Sequence, residues 1–168
     1  MPEVTLRLLD ILREKDVRAT FFMVGENAER HPELMRSVLA EGHRVGNHTY
    51  NHLKGTKYDV VDYIANVVAA DEVLGGTRLF RPPYGRLTRD EKATLSVQGY
   101  TIVLWDVLTY DYDSRYSPEK MLRIVERYTR NGSIINFHDS LKSNERMLAV
   151  VPKVIDMLRE KGYRFEVL

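Results

Sequence analysis

The chain has 168 residues, a length typical of one domain with a sizeable core. Its formal net charge is +1, so no strong field favours nucleic acid or a membrane surface. Cysteine is absent, which excludes disulfides and thiolate sites and leaves histidine and carboxylate side chains as metal ligands. The apolar runs are too short to span a bilayer, and no stretch resembles a signal peptide, so the sequence assigns no cellular location.

Helical and strand-like patterns alternate along the chain. Apolar residues at helical spacing predict helices at residues 2–15, 32–40, 59–74, 88–98, 118–129 and 146–161. Runs of β-branched and aromatic residues predict strands at residues 17–24, 43–46, 79–80, 101–105, 133–137 and 163–168. This alternation favours parallel β-structure covered by helices, as an open sheet or as a barrel. A β/α fold normally opens with a strand, so the helix that begins at Pro2 indicates that a first strand is missing.

Polar residues follow four of the predicted strands. Each of these four strands is followed directly by one such site: Asn47 with His48, Arg81, Asp106 and His138. In a β/α barrel the carboxyl ends of all strands converge on one face, where active sites lie. We therefore expect one barrel-type domain over residues 1–168.

The segment GNHTYNH, residues 46–52, is the strongest local signal of chemistry. His48 and His52 would point the same way if the segment formed a helical turn, the geometry that other zinc hydrolases use. The alternative is a pair of surface loop histidines. We expect His31, before a proline, and His43, in a predicted strand, to be structural.

Three further segments carry residue types suited to catalysis. RPPYG, residues 81–85, is a stiff turn that can hold a cation and an aromatic wall. LWDVLTYDYD, residues 104–113, combines aromatic rings with carboxylates, which suits a sugar site, although Asp residues also cap helices. NFHDS, residues 136–140, places His138 after an apolar strand, where it is a candidate general acid or part of a helix-capping cluster.

In this order, the four segments resemble the polysaccharide deacetylase family, also called the NodB homology domain. The similarity is densest over residues 17–52 and extends through nearly the whole chain. It implies a deformed (β/α) barrel that lacks its first strand. It also implies a metal-dependent hydrolase that removes N-acetyl groups from an N-acetylated sugar polymer or oligosaccharide, acting on non-peptide carbon–nitrogen bonds.

The resemblance also implies the metal ligands and the general acid. His48 and His52 would bind one divalent ion, with Zn²⁺ favoured over Co²⁺, Ni²⁺ or Mn²⁺. His138 would be the general acid, and either Asp106 or Asp111 would tune it.

The remaining roles concern the base, the oxyanion and the substrate. Arg81 would steer the catalytic base, and the backbone N–H of Tyr84 would bind the oxyanion. Further substrate contacts are expected from Pro83, Trp105 and Asn136.

The chain lacks one motif of the family. The family pattern TFDDGP, whose Asp pair supplies the base and the third metal ligand, has no counterpart, and MPEVTLRLLDIL looks like the stretch that follows it. We favour the interpretation that upstream residues lie outside this sequence. The alternative is a short protein whose active site lacks the base and the third metal ligand. We expect little or no deacetylase activity from these 168 residues. The alternative function is a catalytically impaired metal- or glycan-binding relic.

Two substitutions depart from the family pattern. The first Asp of DxxDW is Leu108 here, and the apolar residue two positions before the catalytic His is Asn136, which we expect to alter the acyl pocket or the substrate. Peptidoglycan, chitin-like chains, envelope glycans, acetyl esters of xylan and cyclic amides all stay open as substrates. The sequence predicts a carbohydrate partner and no nucleic acid, and leaves homo-oligomerisation undecided.

Overall fold

A computed structural model of the chain describes residues 2–140 and 142–168. In these ranges, helices and short strands alternate, as the sequence predicts: α1 (Pro2–Glu14), β1 (Thr20–Met23), α2 (Gly25–Arg30), α3 (Pro32–Ala40), β2 (Arg44–Asn47), α4 (Val60–Leu74), β3 (Leu79–Phe80), α5 (Arg89–Val97), β4 (Thr101–Ile102), β5 (Val107–Leu108), α6 (Pro118–Tyr128), β6 (Ile135–Asn136) and α7 (Asn144–Glu160). The chain divides into two compact units. The first comprises residues up to Ala19 together with Trp105–Val167, and the second comprises Thr20–Leu104 with Leu168.

The second unit contains a four-stranded parallel sheet in the order β1-β2-β3-β4. Parallel neighbours need crossover connections, which helices α2 to α5 supply. A buried cluster that includes Tyr63, Val67, Phe80 and Leu95 forms its core. The residue directly after β2 is His48, so the sheet places this histidine at its carboxyl edge.

Helix α2 was missed by the sequence prediction. Its N-cap residue makes no side-chain cap hydrogen bond. Instead, the N–H groups of Gly25 and Glu26 donate to the carbonyls of Thr49 and Tyr50 at 3.0 and 2.9 Å. Because the loop after β2 satisfies these N–H groups, the sequence of α2 carries no start signal of its own.

The first unit contains β5 and β6, which pair in parallel with Val107 opposite Ile135 and Leu108 opposite Asn136. Helix α7 packs against both α1 and α6. The buried cluster under these elements comprises Val107, Met121, Val125, Val150, Val154 and Leu158.

The observed strands at 20–23 and 135–136 are shorter than predicted, and two other strand predictions are wrong in extent or in kind. The predicted strand at 101–105 ends at Ile102, and the next strand, β5, begins at Val107 in a separate sheet, so Asp106 precedes a strand and does not follow one. No strand forms at 163–168 in the part of the chain that is described. There the Tyr163 and Phe165 side chains pack against the buried cluster of the first unit, so packing of side chains replaces a strand ladder. No helix within the described ranges is both long and apolar enough to cross a membrane.

Candidate functional site

His48 and His52 meet just beyond the carboxyl end of β2. Their ring centroids lie 4.9 Å apart, at an interplanar angle of 66°. The segment does not form the helical turn that the spacing suggested. Thr49 and His52 have φ values of 63° and 57°, in the left-handed region, and they turn the chain back so that the rings face each other.

Thr49 has a backbone conformation that a β-branched residue rarely adopts. Burial and several hydrogen bonds hold the residue in this conformation. The residue is fully buried. Its N–H donates to Oδ1 of Asn47 at 2.8 Å, and its Oγ1 accepts from the N–H of Leu53 at 3.0 Å. The Asn47 amide in turn donates to the Val67 carbonyl and to Asp71 Oδ1, both at 2.8 Å. The loop that carries both histidines is therefore fixed by the buried polar groups of its own unit.

Asn66 of α4 is a positioning residue that the sequence analysis missed. Its Oδ1 accepts from the backbone N–H groups of Tyr50 and Asn51 at 2.9 and 3.1 Å. Its Nδ2 donates to Asn51 Oδ1 at 2.9 Å. The available signal was one amide within an otherwise apolar stretch of helix, IANVV.

The tautomer of His48 follows from its hydrogen bond. Its Nδ1 lies 2.6 Å from the carbonyl oxygen of Arg81. A carbonyl only accepts, so Nδ1 carries the proton and the lone pair resides on Nε2. Metal-binding histidines commonly have this arrangement, because the hydrogen bond fixes the ring and raises the basicity of the other nitrogen.

The two histidines fit two ligand positions of a divalent ion such as Zn²⁺. Within residues 2–140 and 142–168, however, no group of three or more His, Cys, Asp or Glu side chains is arranged to hold a metal. The metal-ligand role of His48 and His52 therefore stays a prediction.

Arg81 follows β3 and is 8% exposed. Its Nε and Nη2 donate to the carbonyls of Val103 and Leu104, each at 3.3 Å, and its guanidinium lies 4.1 Å from the ring centroid of Phe22. Burial lowers the pKa of Arg81 to about 10, which still leaves the side chain cationic at neutral pH. Its side chain ties the β3 end to the β4 end, while its carbonyl orients His48.

The turn after Arg81 presents an aromatic face beside His52. Pro83 is buried, whereas Tyr84 is 60% exposed and has a φ of 61°. The Tyr84 ring packs edge-on against His52, with centroids 5.1 Å apart, and Lys54 Nζ lies 5.7 Å from its centroid. The second unit thus brings together the predicted residues His48, His52, Arg81, Pro83 and Tyr84.

In the first unit, the buried carboxylate of Asp111 pairs with the imidazole of His138. Asp111 is fully buried. Its Oδ1 lies 2.8 Å from His138 Nδ1, and its Oδ2 accepts the backbone N–H of His138 at 2.6 Å. The His138 side chain is 37% exposed. One carboxylate therefore holds both the backbone and the ring of a solvent-reachable histidine.

Asp106 has other partners. Its Oδ1 accepts from the N–H of Ile134 at 2.8 Å, its Oδ2 accepts from Ser133 Oγ at 2.9 Å, and Arg130 lies 3.4 Å away. Desolvation opposes its ionisation, but these donors and the nearby cation hold the pKa of Asp106 below its usual range. Of the two carboxylates that the sequence left open as tuning groups, Asp111 accepts the hydrogen bonds from His138, and Asp106 accepts hydrogen bonds from the loop before β6.

We expect Asp106→Asn to lower the free energy of unfolding at pH 7 by about 1 kcal/mol, because charge-assisted hydrogen bonds to the loop are lost. A depressed pKa in the folded state stabilises the protein above the unfolded pKa of about 4, and that stabilisation is lost as pH falls through the folded value. The difference from wild type should therefore shrink below about pH 4. Urea unfolding between pH 2.5 and 7 measures it, with Asp10→Asn as the exposed control, and a pH-independent difference would contradict this role.

Aromatic and amide side chains surround His138. The Tyr112 ring stands perpendicular to the imidazole, with centroids 5.0 Å apart, and burial raises the pKa of Tyr112, so its phenol is neutral. Nδ2 of Asn136, a residue only 5% exposed, lies 3.3 Å from His138 Nε2. Trp105 is half-buried ahead of β5. The sequence analysis predicts that Asn136 affects the acyl pocket. In the structure, its side-chain amide contacts the imidazole of His138.

Comparisons with known proteins point to one group. A family model described as polysaccharide deacetylase matches residues 1–103. A peptidoglycan-N-acetylglucosamine deacetylase of Bacillus cereus is 32% identical over 172 residues, which cover 99% of this chain and 62% of that protein. The chain thus spans a little under two thirds of that relative's length.

Solved structures show the same fold. The crystal structure of a peptidoglycan N-acetylglucosamine deacetylase, bound to 4-naphthalen-1-yl-N-oxidanyl-benzamide, matches with a TM-score of 0.95 and 31% identity, covering 99% of this chain and 80% of that one. A carbohydrate esterase family 4 pseudoenzyme from Bacillus anthracis matches with a TM-score of 0.88 and 25% identity, covering 99% and 59%. The predicted α/β fold type is confirmed by these matches.

Proposed function

Because the chain belongs to the polysaccharide deacetylase family, we propose that it functions in the hydrolytic removal of N-acetyl groups from an N-acetylated sugar polymer or oligosaccharide. The observation that carries this proposal is the pair His48 and His52, whose rings meet 4.9 Å apart. The Arg81 carbonyl orients the first of them as in a metal site. N-acetylglucosamine units of peptidoglycan or of chitin-like chains are the proposed substrates.

We assign the divalent ion, Zn²⁺ by preference, to these two histidines, with His48 contributing Nε2. A bound ion would supply Lewis-acid polarisation of the amide carbonyl and activation of water. The protein's own part is to hold the imidazoles in place through Asn47, Thr49 and Asn66.

His138 is the proposed general acid. The Asp111 carboxylate accepts a hydrogen bond from its Nδ1–H, so Nε2, when protonated in the imidazolium form, is the atom that would hand a proton to the departing amine nitrogen. Hydrolysis adds one water across the amide bond and releases acetate and a free amino sugar. The backbone N–H of Tyr84 is the proposed donor to the oxyanion, a contribution of about 3 kcal/mol for one such donor.

The test is acetate release from N-acetylglucosamine oligomers and from peptidoglycan, with and without added zinc. We expect at most slow, zinc-dependent release, because these 168 residues contain no Asp-Asp pair to supply a base. The release should be lost in His138→Ala and retained in His31→Ala, whose histidine is exposed and paired with Glu33. Acetylated xylan distinguishes amide from ester cleavage. Equal rates for wild type and His138→Ala would contradict the assignment of the acid.

A second candidate is a non-catalytic domain that binds metal or glycan. It is favoured by the lack of a three-ligand group among the described residues and by the pseudoenzyme among its structural relatives. Calorimetry distinguishes the two: binding of zinc and of N-acetylglucosamine oligomers without acetate release under any metal condition would support the non-catalytic domain.

A further inference from the structure

Asn136 is a buried amide beside the proposed general acid. It ends strand β6, where it pairs with Leu108, and its carbonyl accepts from Thr109 Oγ1 at 2.9 Å. Its side-chain Nδ2 lies 3.3 Å from His138 Nε2, the ring nitrogen opposite the one that Asp111 holds. Burying an amide costs folding free energy unless the amide is hydrogen-bonded. The contact with His138 offsets this cost for a polar residue at the end of an apolar strand.

The polarity of both hydrogen bonds follows from the chemistry of the partners. A carboxylate only accepts, so His138 Nδ1 carries a proton and donates to Asp111. An amide nitrogen only donates, so His138 Nε2 accepts from Asn136 and carries the lone pair. The two contacts thus select the same neutral tautomer and hold the ring from both sides.

We propose that Asn136 is a positioning residue for His138, which keeps the imidazole in one tautomer and one orientation. The proposal rests on the general-acid role given to His138. An amide can also rotate by half a turn and present its oxygen, so the same side chain can accept from Nε2–H once the ring is doubly protonated. An apolar side chain of the same size can do neither.

Other described groups around the ring have different partners. Asp111 engages Nδ1, and Tyr112 contacts the ring through its own ring. Asp139, next in the chain, accepts from the hydroxyl of Thr5 at 2.7 Å, and the Arg146 guanidinium donates to the backbone carbonyl of Asp111 at 3.0 Å. Within residues 2–140 and 142–168, the hydrogen bond at Nε2 is the one from the Asn136 amide.

Nitrogen-15 NMR of histidine-labelled protein tests this without metal or substrate. In wild type at pH 8, His138 should show one tautomer, protonated at Nδ1, with an Nε2 resonance displaced by hydrogen bonding. In Asn136→Leu, that displacement should disappear and the Nε2–H tautomer should rise several-fold. In the isosteric Asn136→Asp, which offers only acceptors, Nε2 should become protonated. Asn131→Leu, at an exposed turn of the same unit, is the control and should leave the spectrum unchanged.

The opposite responses of the leucine and aspartate variants separate positioning from a general packing defect. An unchanged His138 tautomer and Nε2 shift in either folded variant would overturn the proposal. If acetate release is measurable, Asn136→Leu should lower kcat about tenfold with little change in KM, the pattern for loss of an interaction made in the transition state. If wild type releases no acetate while the tautomer still depends on Asn136, the catalytic function fails and the positioning role stands.

Discussion

Replacing His48 or His52 with alanine is expected to weaken zinc binding by at least about 100-fold, because loss of an orienting partner alone costs 10- to 100-fold at metal sites and each variant loses a ligand outright. Each residue supplies one imidazole nitrogen to the proposed site, and a single remaining histidine binds zinc weakly. Titration calorimetry with zinc chloride at pH 7.5 measures the effect. His52 is exposed and His48 half-buried, so both variants should fold normally.

His31→Ala is the matched control for this experiment. His31 is an exposed histidine of the same unit, and its Nδ1 lies 3.4 Å from Glu33 Oε1, away from the proposed site. Its zinc affinity should equal that of wild type. Wild-type affinity in either His48→Ala or His52→Ala would show that the pair is not the metal site.

Replacing Asp111 with alanine is expected to cost about 2–4 kcal/mol of unfolding free energy, because the backbone and ring N–H groups of His138 lose their acceptor in a buried setting. Asp111 is fully buried and accepts both groups at 2.6 and 2.8 Å. Any acetate release should fall by about 10²-fold or more, since His138 loses the group that orients it as an acid. Urea unfolding at pH 7 and the acetate assay measure the two effects.

Asp113→Ala is the neighbouring control. Hydrogen bonds from Arg115 lower the pKa of Asp113 to about 2, and this ion pair lies within the turn itself. We expect a much smaller change in stability and no change in the His138 resonances. Asp111→Ala with the stability of Asp113→Ala would show that the Asp111–His138 pair contributes little to the fold.

The helices were largely predictable because their signals are local. The predicted helix 32–40 matches α3, and predicted helix 59–74 differs from α4 only in counting its cap, Asp59, whose side chain accepts from the N–H of Asp62. Gly75, with a φ of 76°, ends α4 as the sequence indicates. Caps and apolar spacing act over a few residues, so they can be read from the chain itself.

The sequence by itself determined the family, the alternation of helices and parallel strands, and the identity of the candidate residues, because these depend on residue types and their order. Only the tertiary structure decided how His48 and His52 meet, through left-handed residues at 49 and 52 in place of a helical turn. It also chose between two carboxylates for His138, since Asp106 bonds to the loop at 133–134 and Asp111 bonds to the histidine. The physical reason is the sequence separation of the partners. These hydrogen bonds join groups 27 or 28 residues apart, and no local sequence pattern determines which distant group a carboxylate will contact.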